Sequence, residues 1–80
     1  MTRVRVLYFA SLRDAAGRAE EDVQSDAGDL ASLYDELQAR HQLPFPRRQL
    51  RVAVDGDFVS WATPLRDGSQ VAFLPPVSGG

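Results

Sequence analysis

The chain has 80 residues, of which 44% are hydrophobic and 25% charged, with a formal net charge of −2 at pH 7. This composition is typical of one small globular domain, which excludes pervasive disorder, and the slight acidity disfavours general nucleic-acid binding. The absence of cysteine and the single histidine exclude disulfides, thiolate metal sites and a multi-histidine centre. We expect no tightly bound cofactor, no metal and no membrane contact, and the lack of a signal-peptide pattern predicts a cytoplasmic location.

The first half of the chain predicts strand, short connection, strand and then one long helix. Residues 4–10 are dense in β-branched and aromatic side chains and predict a strand. Ser11 can cap a short helix that ends at Gly17, and a more polar strand follows over 20–24. Asp29 is a good N-cap for the long helix, because an apolar stripe with spacing i, i+3, i+4, i+7 follows it. The stripe comprises Leu30, Leu33, Tyr34 and Leu37.

The second half predicts three short strands joined by turns. Residues 50–54 alternate in polarity, and an Asp-Gly dipeptide turns the chain into a return strand at 58–59. Residues 70–74 form the last strand, which two prolines then end because proline cannot donate to the ladder. One helix against four or five strands predicts an α+β fold, a ubiquitin-like roll (β-grasp) over residues 1–76. Its first and last strands would be central neighbours, and residues 77–80 would form a flexible tail.

Alternation along the strands predicts apolar side chains on the sheet face that the helix leaves open. Arg5 and Arg51 mark this outward face in their strands, because a sheet covered by one helix has one core face and one face toward water. The open face is then expected to carry Leu7, Phe9, Ala53, Ala72 and Leu74, with Phe58 as an extension. Such a patch is often a partner surface, although scattered exposed apolar side chains are also normal.

The chemistry of the tail requires a partner. Two terminal glycines can enter a narrow channel that would reject any Cβ, and they can take nearly any backbone conformation there. The reactive group would be the α-carboxylate of Gly80, which needs activation, for example as an acyl-adenylate. Because the chain has no phosphate-cradling glycine loop, a separate ATP-dependent enzyme would have to supply that activation. A frayed terminus without function is the alternative.

The sequence resembles the family of small subunits of molybdopterin synthase over essentially its whole length. The likeness is carried by Val6-Leu7-Tyr8-Phe9-Ala10 with Leu12-Arg13, by the Asp67-Gly68 turn, and by Val71-Ala72-Phe73-Leu74-Pro75-Pro76-Val77-Ser78-Gly79-Gly80. The resemblance implies the β-grasp fold of ubiquitin-like sulfur carriers. It also implies a C-terminal glycine that an activating enzyme adenylates and that sulfur from a donor protein converts to a thiocarboxylate.

The resemblance further implies what the carrier does with that sulfur. Its tail would enter the large synthase subunit, where cyclic pyranopterin monophosphate receives the sulfur and becomes molybdopterin. The synthase would be a heterotetramer of two small and two large subunits, with the small subunit not catalytic alone. The implied covalent forms are 1-thioglycine and a glycyl-adenylate at Gly80, with Gly79 allowing the tail to thread. The implied partner-binding positions are Phe9, Arg13, Phe58, Leu74, Pro75, Pro76, Val77 and Ser78.

Other functions stay open on the sequence alone. The chain could be a sulfur carrier for cysteine or thiamine synthesis, a ubiquitin-like modifier that forms an isopeptide bond with a target lysine, or a plain interaction module. A small basic cluster of Arg47, Arg48 and Arg51 is best explained by a solvated loop, next by contact with an acidic partner, and last by RNA. We expect a capping or solvent role for His41 and a packing role for Trp61.

Overall fold

A computed structural model describes residues 1–76. The elements in chain order are β1 (Thr2–Tyr8), α1 (Ala10–Ala16), β2 (Glu20–Ser25), α2 (Leu30–His41), a 3-10 turn (Arg47–Gln49), β3 (Arg51–Val54), β4 (Asp57–Val59) and β5 (Gln70–Leu74). The strands form one five-stranded sheet in the order β2-β1-β5-β3-β4. The central pair β1 and β5 is parallel, and the other pairs are antiparallel. The predicted β-grasp roll is confirmed, including its central pair of first and last strands.

Helix α2 covers one face of the sheet and forms the core with it. The side chain of Asp29 accepts a hydrogen bond from the backbone N–H of Ser32 at 2.9 Å, which confirms the predicted N-cap. The predicted apolar stripe of α2 is buried against strand residues that are at most 2% exposed, namely Val4, Val6, Tyr8, Val52, Val71 and Phe73. Trp61 stacks on Phe73 with ring centroids 5.8 Å apart, so its predicted packing role is confirmed. Within residues 1–76 no helix is long and apolar enough to cross a membrane.

The start of α1 differs from the sequence prediction. β1 ends at Tyr8, and α1 begins at Ala10 with Phe9 in the N-cap position, so the predicted capping by Ser11 is wrong. The backbone carbonyl of Phe9 accepts from the N–H of Leu12 at 3.0 Å, which closes the first turn without a side-chain cap. A positive φ of 50° at Ala10 turns the chain from strand to helix within one residue. The predicted stop at Gly17 is confirmed by its left-handed φ of 77°.

The end of α2 is tied to the sheet by a nearly buried polar network. The predicted solvent role of His41 is wrong, because its side chain is 12% exposed and its Nε2 lies 3.0 Å from Oε1 of Glu21 in β2. The Tyr8 hydroxyl donates to the same oxygen at 2.8 Å. Burial alone would raise the pKa of Glu21, but hydrogen bonds from Tyr8 and His41 and the charges of His41 and Arg18 outweigh it and lower that pKa. The Glu21 carboxylate therefore joins β1, β2 and α2 at the end of β1 that leads into Phe9.

Candidate partner-docking surface

Strand register assembles one apolar patch on the open face of the sheet. Leu7 pairs with Ala72, Ala72 with Ala53, and Ala53 with Phe58, so these four side chains cross the sheet in one row. Continuing the parallel register beyond the Tyr8–Phe73 pair brings Phe9 opposite Leu74. The apolar patch comprises Leu7, Phe9, Ala53, Phe58, Ala72 and Leu74.

The two phenylalanines of the apolar patch are its most accessible members. Phe9 is 43% exposed and Phe58 is 61% exposed. Leu7, Ala72 and Leu74 are half-buried, while Ala53 is 8% exposed. Ala53 thus lies in the outward row that alternation predicts but is covered by its neighbours, a packing effect that its own strand does not encode. Two exposed aromatic rings beside partly buried aliphatic side chains make the patch a candidate protein-binding surface.

The C-terminal segment leaves the sheet beside this patch. β5 ends at Leu74, and the next two residues, Pro75 and Pro76, are half-buried and exposed respectively. Prolines restrict the backbone, so the exit direction is stiff. Four residues with implied roles lie outside the described residues. They are Val77 and Ser78, implied to bind the partner, Gly79, implied to allow threading, and Gly80, implied to carry the sulfur. Their roles, and the partner-binding role of Pro75 and Pro76, stay predictions.

Arg13 is placed one helical turn after Phe9. It is an exposed residue of α1, a helix that contacts β5. Among residues 1–76 its guanidinium has no carboxylate within ion-pair distance. The position fits the basic partner contact that the resemblance implies, and that role stays a prediction.

The remaining part of the open face is polar and internally neutralised. Arg5 in β1 lies 2.9 Å from a carboxylate oxygen of Glu20 and 3.2 Å from one of Asp22, both in β2. These charges satisfy one another across adjacent strands. The open face is thus divided into a polar part, formed by β2 and the Arg5 end of β1, and the apolar patch, formed by the Leu7 end of β1 with β5, β3 and β4.

The buried titratable groups lie on the opposite face of the sheet from the apolar patch. Among the described residues, no group of three or more His, Asp or Glu side chains could hold a metal ion. The titratable cluster of Tyr8, Glu21 and His41 lies toward the core face and is engaged in its own hydrogen bonds.

Comparison with known proteins gives the chain its family. The ThiS family profile matches residues 6–80. The chain belongs to the ThiS family. The molybdopterin synthase sulfur carrier subunit of Mycobacterium tuberculosis is 37% identical over 84 residues, and the alignment covers 100% of both chains. The molybdopterin synthase sulfur carrier subunit of Escherichia coli is 36% identical over 80 residues, covering 96% of this chain and 99% of that one.

A solved complex shows a family relative with its partner. The structure is the complex of subunits 1 and 2 of molybdopterin-converting factor from Helicobacter pylori. The matched chain is 28% identical to this one with a TM-score of 0.69, and the alignment covers 99% of this chain and 100% of that one. A protein similar to this chain over nearly its whole length therefore binds a second subunit in that complex.

Sequence reasoning missed two features next to the predicted site. The first is the Tyr8–Glu21–His41 network, whose members are brought together only when β2 and α2 pack on β1. The second is the contact between Arg51 and Phe58, in which the guanidinium carbon lies 4.7 Å from the ring centre. The hairpin register predicts this second contact, because pairing Ala53 with Phe58 places Arg51 on the same face and diagonal to the ring.

Proposed function

We propose that the chain is the sulfur-carrier, or small, subunit of molybdopterin synthase and that it acts in the cytoplasm. The observation that carries the proposal is the end-to-end match to two molybdopterin synthase sulfur carrier subunits. The apolar patch beside the exit of the C-terminal segment supports it, because it provides a docking surface where the tail would enter a partner.

The reagent in this proposal is the carboxylate of Gly80. An ATP-dependent enzyme converts it to a glycyl-adenylate with release of pyrophosphate, and a sulfide equivalent from a donor protein then displaces AMP to give 1-thioglycine. A thiocarboxylate is an anion with a nucleophilic sulfur, so this chain needs no base of its own. The chain contributes delivery and positioning, and the partner supplies acid–base groups and phosphate contacts.

Docking would place that reagent in the large subunit of the synthase. Phe9, Phe58 and Leu74 provide the apolar contact, and Arg13 adds a positive charge at its edge. Pro75 and Pro76 stiffen the approach, while Val77, Ser78 and Gly79 form the part of the tail that threads inward. The assembly would contain two small and two large subunits.

The stoichiometry of the product constrains the strength of this interface. Each carrier delivers one sulfur to cyclic pyranopterin monophosphate, whereas the dithiolene of molybdopterin contains two. Two carriers must therefore act in succession at one precursor, and the spent carrier must leave between them. A small patch built around a few exposed apolar side chains is suited to such reversible binding.

Intact-mass measurement tests the proposal. The chain is produced together with its activating enzyme and sulfur donor, and replacement of one terminal oxygen by sulfur is expected. Addition of the large subunit and the pterin precursor should then yield molybdopterin. Deletion of Gly80 should abolish both results and leave the unfolding transition unchanged.

The same experiment distinguishes the remaining functions. A thiocarboxylate without molybdopterin would assign the carrier to another sulfur pathway, such as cysteine or thiamine synthesis. Isopeptide conjugates without a thiocarboxylate would assign it to protein modification. An unchanged mass with demonstrably active enzymes would overturn every carrier function.

A further inference from the structure

We propose that Arg51 is a specificity-determining contact that binds a carboxylate of the partner beside Leu74 and Phe58 of the docking surface. The inference rests on the proposed function, since it takes the apolar patch as the surface that meets the large subunit. It goes further by assigning the chemistry of a partner group and a residue of this chain that selects it.

The position of Arg51 makes it part of that surface. It is an exposed residue of β3 and pairs in register with Leu74 of β5. Its guanidinium carbon is 4.7 Å from the ring centre of Phe58. A partner that covers Leu74 and Phe58 must therefore cover Arg51 as well.

The charge of Arg51 is not neutralised within residues 1–76. None of the ion pairs or side-chain hydrogen bonds of the described segment includes its guanidinium. Arg5, on the same face, contrasts with it because two carboxylates of β2 lie within 3.2 Å of that guanidinium. The only partner that the described part of the chain offers Arg51 is the face of an aromatic ring, which orients the group but leaves its N–H donors available.

Burial of this guanidinium on docking determines what the partner must supply. An unpaired charge removed from water opposes association strongly, whereas a planar guanidinium accepts a carboxylate through two parallel hydrogen bonds. The ring of Phe58 holds the guanidinium in place before the partner arrives, so less side-chain freedom is lost on binding. In the proposed function the carboxylate of Gly80 lies inside the partner and is not available to Arg51. The carboxylate that binds Arg51 must therefore belong to the large subunit.

Calorimetric titration of the cognate large subunit with four full-length variants tests the inference. Arg51→Gln should lower the affinity by at least about tenfold and make its salt dependence shallower, because a desolvated ion pair is lost. Arg51→Glu should lower the affinity further, by about a hundredfold, because it sets two negative charges against each other. Arg51→Lys should keep the salt dependence and lose part of the affinity, since it retains charge but not the planar pair of donors.

Arg66→Gln is the matched control. Arg66 is an exposed arginine between β4 and β5, at the end of β5 away from the tail, and its guanidinium forms no ion pair with the described residues. Its variant should bind like the unchanged chain. Thermal unfolding of each variant checks that the fold is retained.

The outcomes separate this inference from the function on which it rests. If the unchanged chain binds and Arg51→Gln binds equally well with the same salt dependence, the carboxylate contact is overturned while the carrier function stands. If the unchanged chain fails to bind the large subunit, the proposed function and this inference are both overturned. Equal losses for Arg51→Gln and Arg66→Gln would reveal a general charge effect and would also overturn the specific contact.

Discussion

Along β5, neighbouring residues serve opposite faces of the sheet. Val71 and Phe73 are 1% and 0% exposed beneath α2, whereas Ala72 and Leu74 are half-buried on the open face. The core-face residues are covered by the protein itself, so their contribution is to stability. The open-face residues would become fully buried on binding of the proposed partner. One strand with a two-residue period thus holds the domain together and contributes to the proposed docking surface.

The largest expected effect is a difference in stability between alanine variants at positions 73 and 74. Phe73→Ala should lower the free energy of unfolding by about 3–5 kcal/mol, because it leaves a cavity between three aromatic neighbours, Tyr8, Tyr34 and Trp61. Leu74→Ala should lower it by at most about 1 kcal/mol, since the side chain is only partly buried. Urea unfolding measures both values.

Binding to the large subunit should rank these variants in the opposite order. Leu74→Ala should weaken binding, whereas a folded Phe73 variant should bind normally. Because Phe73→Ala removes a large share of the stability of so small a domain, Phe73→Leu provides a milder core variant. Similar losses of unfolding free energy for the variants at positions 73 and 74 would contradict the assignment of stability to the core face and of binding to the open face.

A smaller effect, confined to binding, is expected from charge placed in the apolar patch. Phe9→Arg should reduce the affinity for the large subunit by about a hundredfold, because an unpaired charge would be buried at the contact. The unfolding free energy should change little, since Phe9 is 43% exposed in the free chain. Calorimetric titration provides the measurement.

A control on the polar part of the open face sharpens this prediction. Gln24→Arg adds the same charge to β2, where Gln24 is exposed opposite Arg3. It should leave the affinity unchanged if docking is confined to the apolar patch. If Gln24→Arg and Phe9→Arg lose the same affinity, docking is not confined to the apolar patch. Either the interface then covers the whole open face, or both losses come from the change in net charge.

The sequence predicts those features of the molecule that depend on local patterns. The last strand, 70–74, has the predicted bounds because two prolines end it, and α2 has the predicted cap and apolar stripe. Alternation also places Leu7, Ala72 and Leu74 on the open face as predicted. Local rules act on neighbouring residues and are therefore visible in the chain itself.

Features that depend on contacts between distant segments were predicted less well. Ala53 is covered by Ala72 and Phe58 from two other strands, so its burial follows from sheet order. His41 is buried because Glu21, 20 residues earlier, lies beneath the end of α2. The partner roles of Phe9, Arg13, Phe58 and Leu74 rest on resemblance to a family, since a surface alone does not name what binds it.

Within the core face, the polar network of Tyr8, Glu21 and His41 should have a smaller effect on stability than Phe73→Ala, and one that depends on pH. Tyr8→Phe removes the hydroxyl that donates to Glu21 at 2.8 Å and should cost about 1.5–3 kcal/mol at pH 7, because the acceptor is charged. The pKa of Glu21 is lowered from its ordinary value of 4.5, so its stabilisation is present above pH 4.5 and is lost as the pH falls through the folded-state pKa. The difference between the two chains should therefore shrink below pH 4.5.

Urea unfolding at pH 7 and at several values below 4.5 measures that difference. Tyr8 stays protonated throughout, because burial and the hydrogen bond to Glu21 raise its pKa. His41, Arg18 and Arg40 also face Glu21 and are present in both chains. Arg5→Gln is the matched control on the open face, where loss of exposed ion pairs should cost at most about 1 kcal/mol. If the loss of unfolding free energy in Tyr8→Phe does not change with pH, Tyr8 contributes through packing. The proposed stabilisation by a hydrogen bond to charged Glu21 would then be wrong.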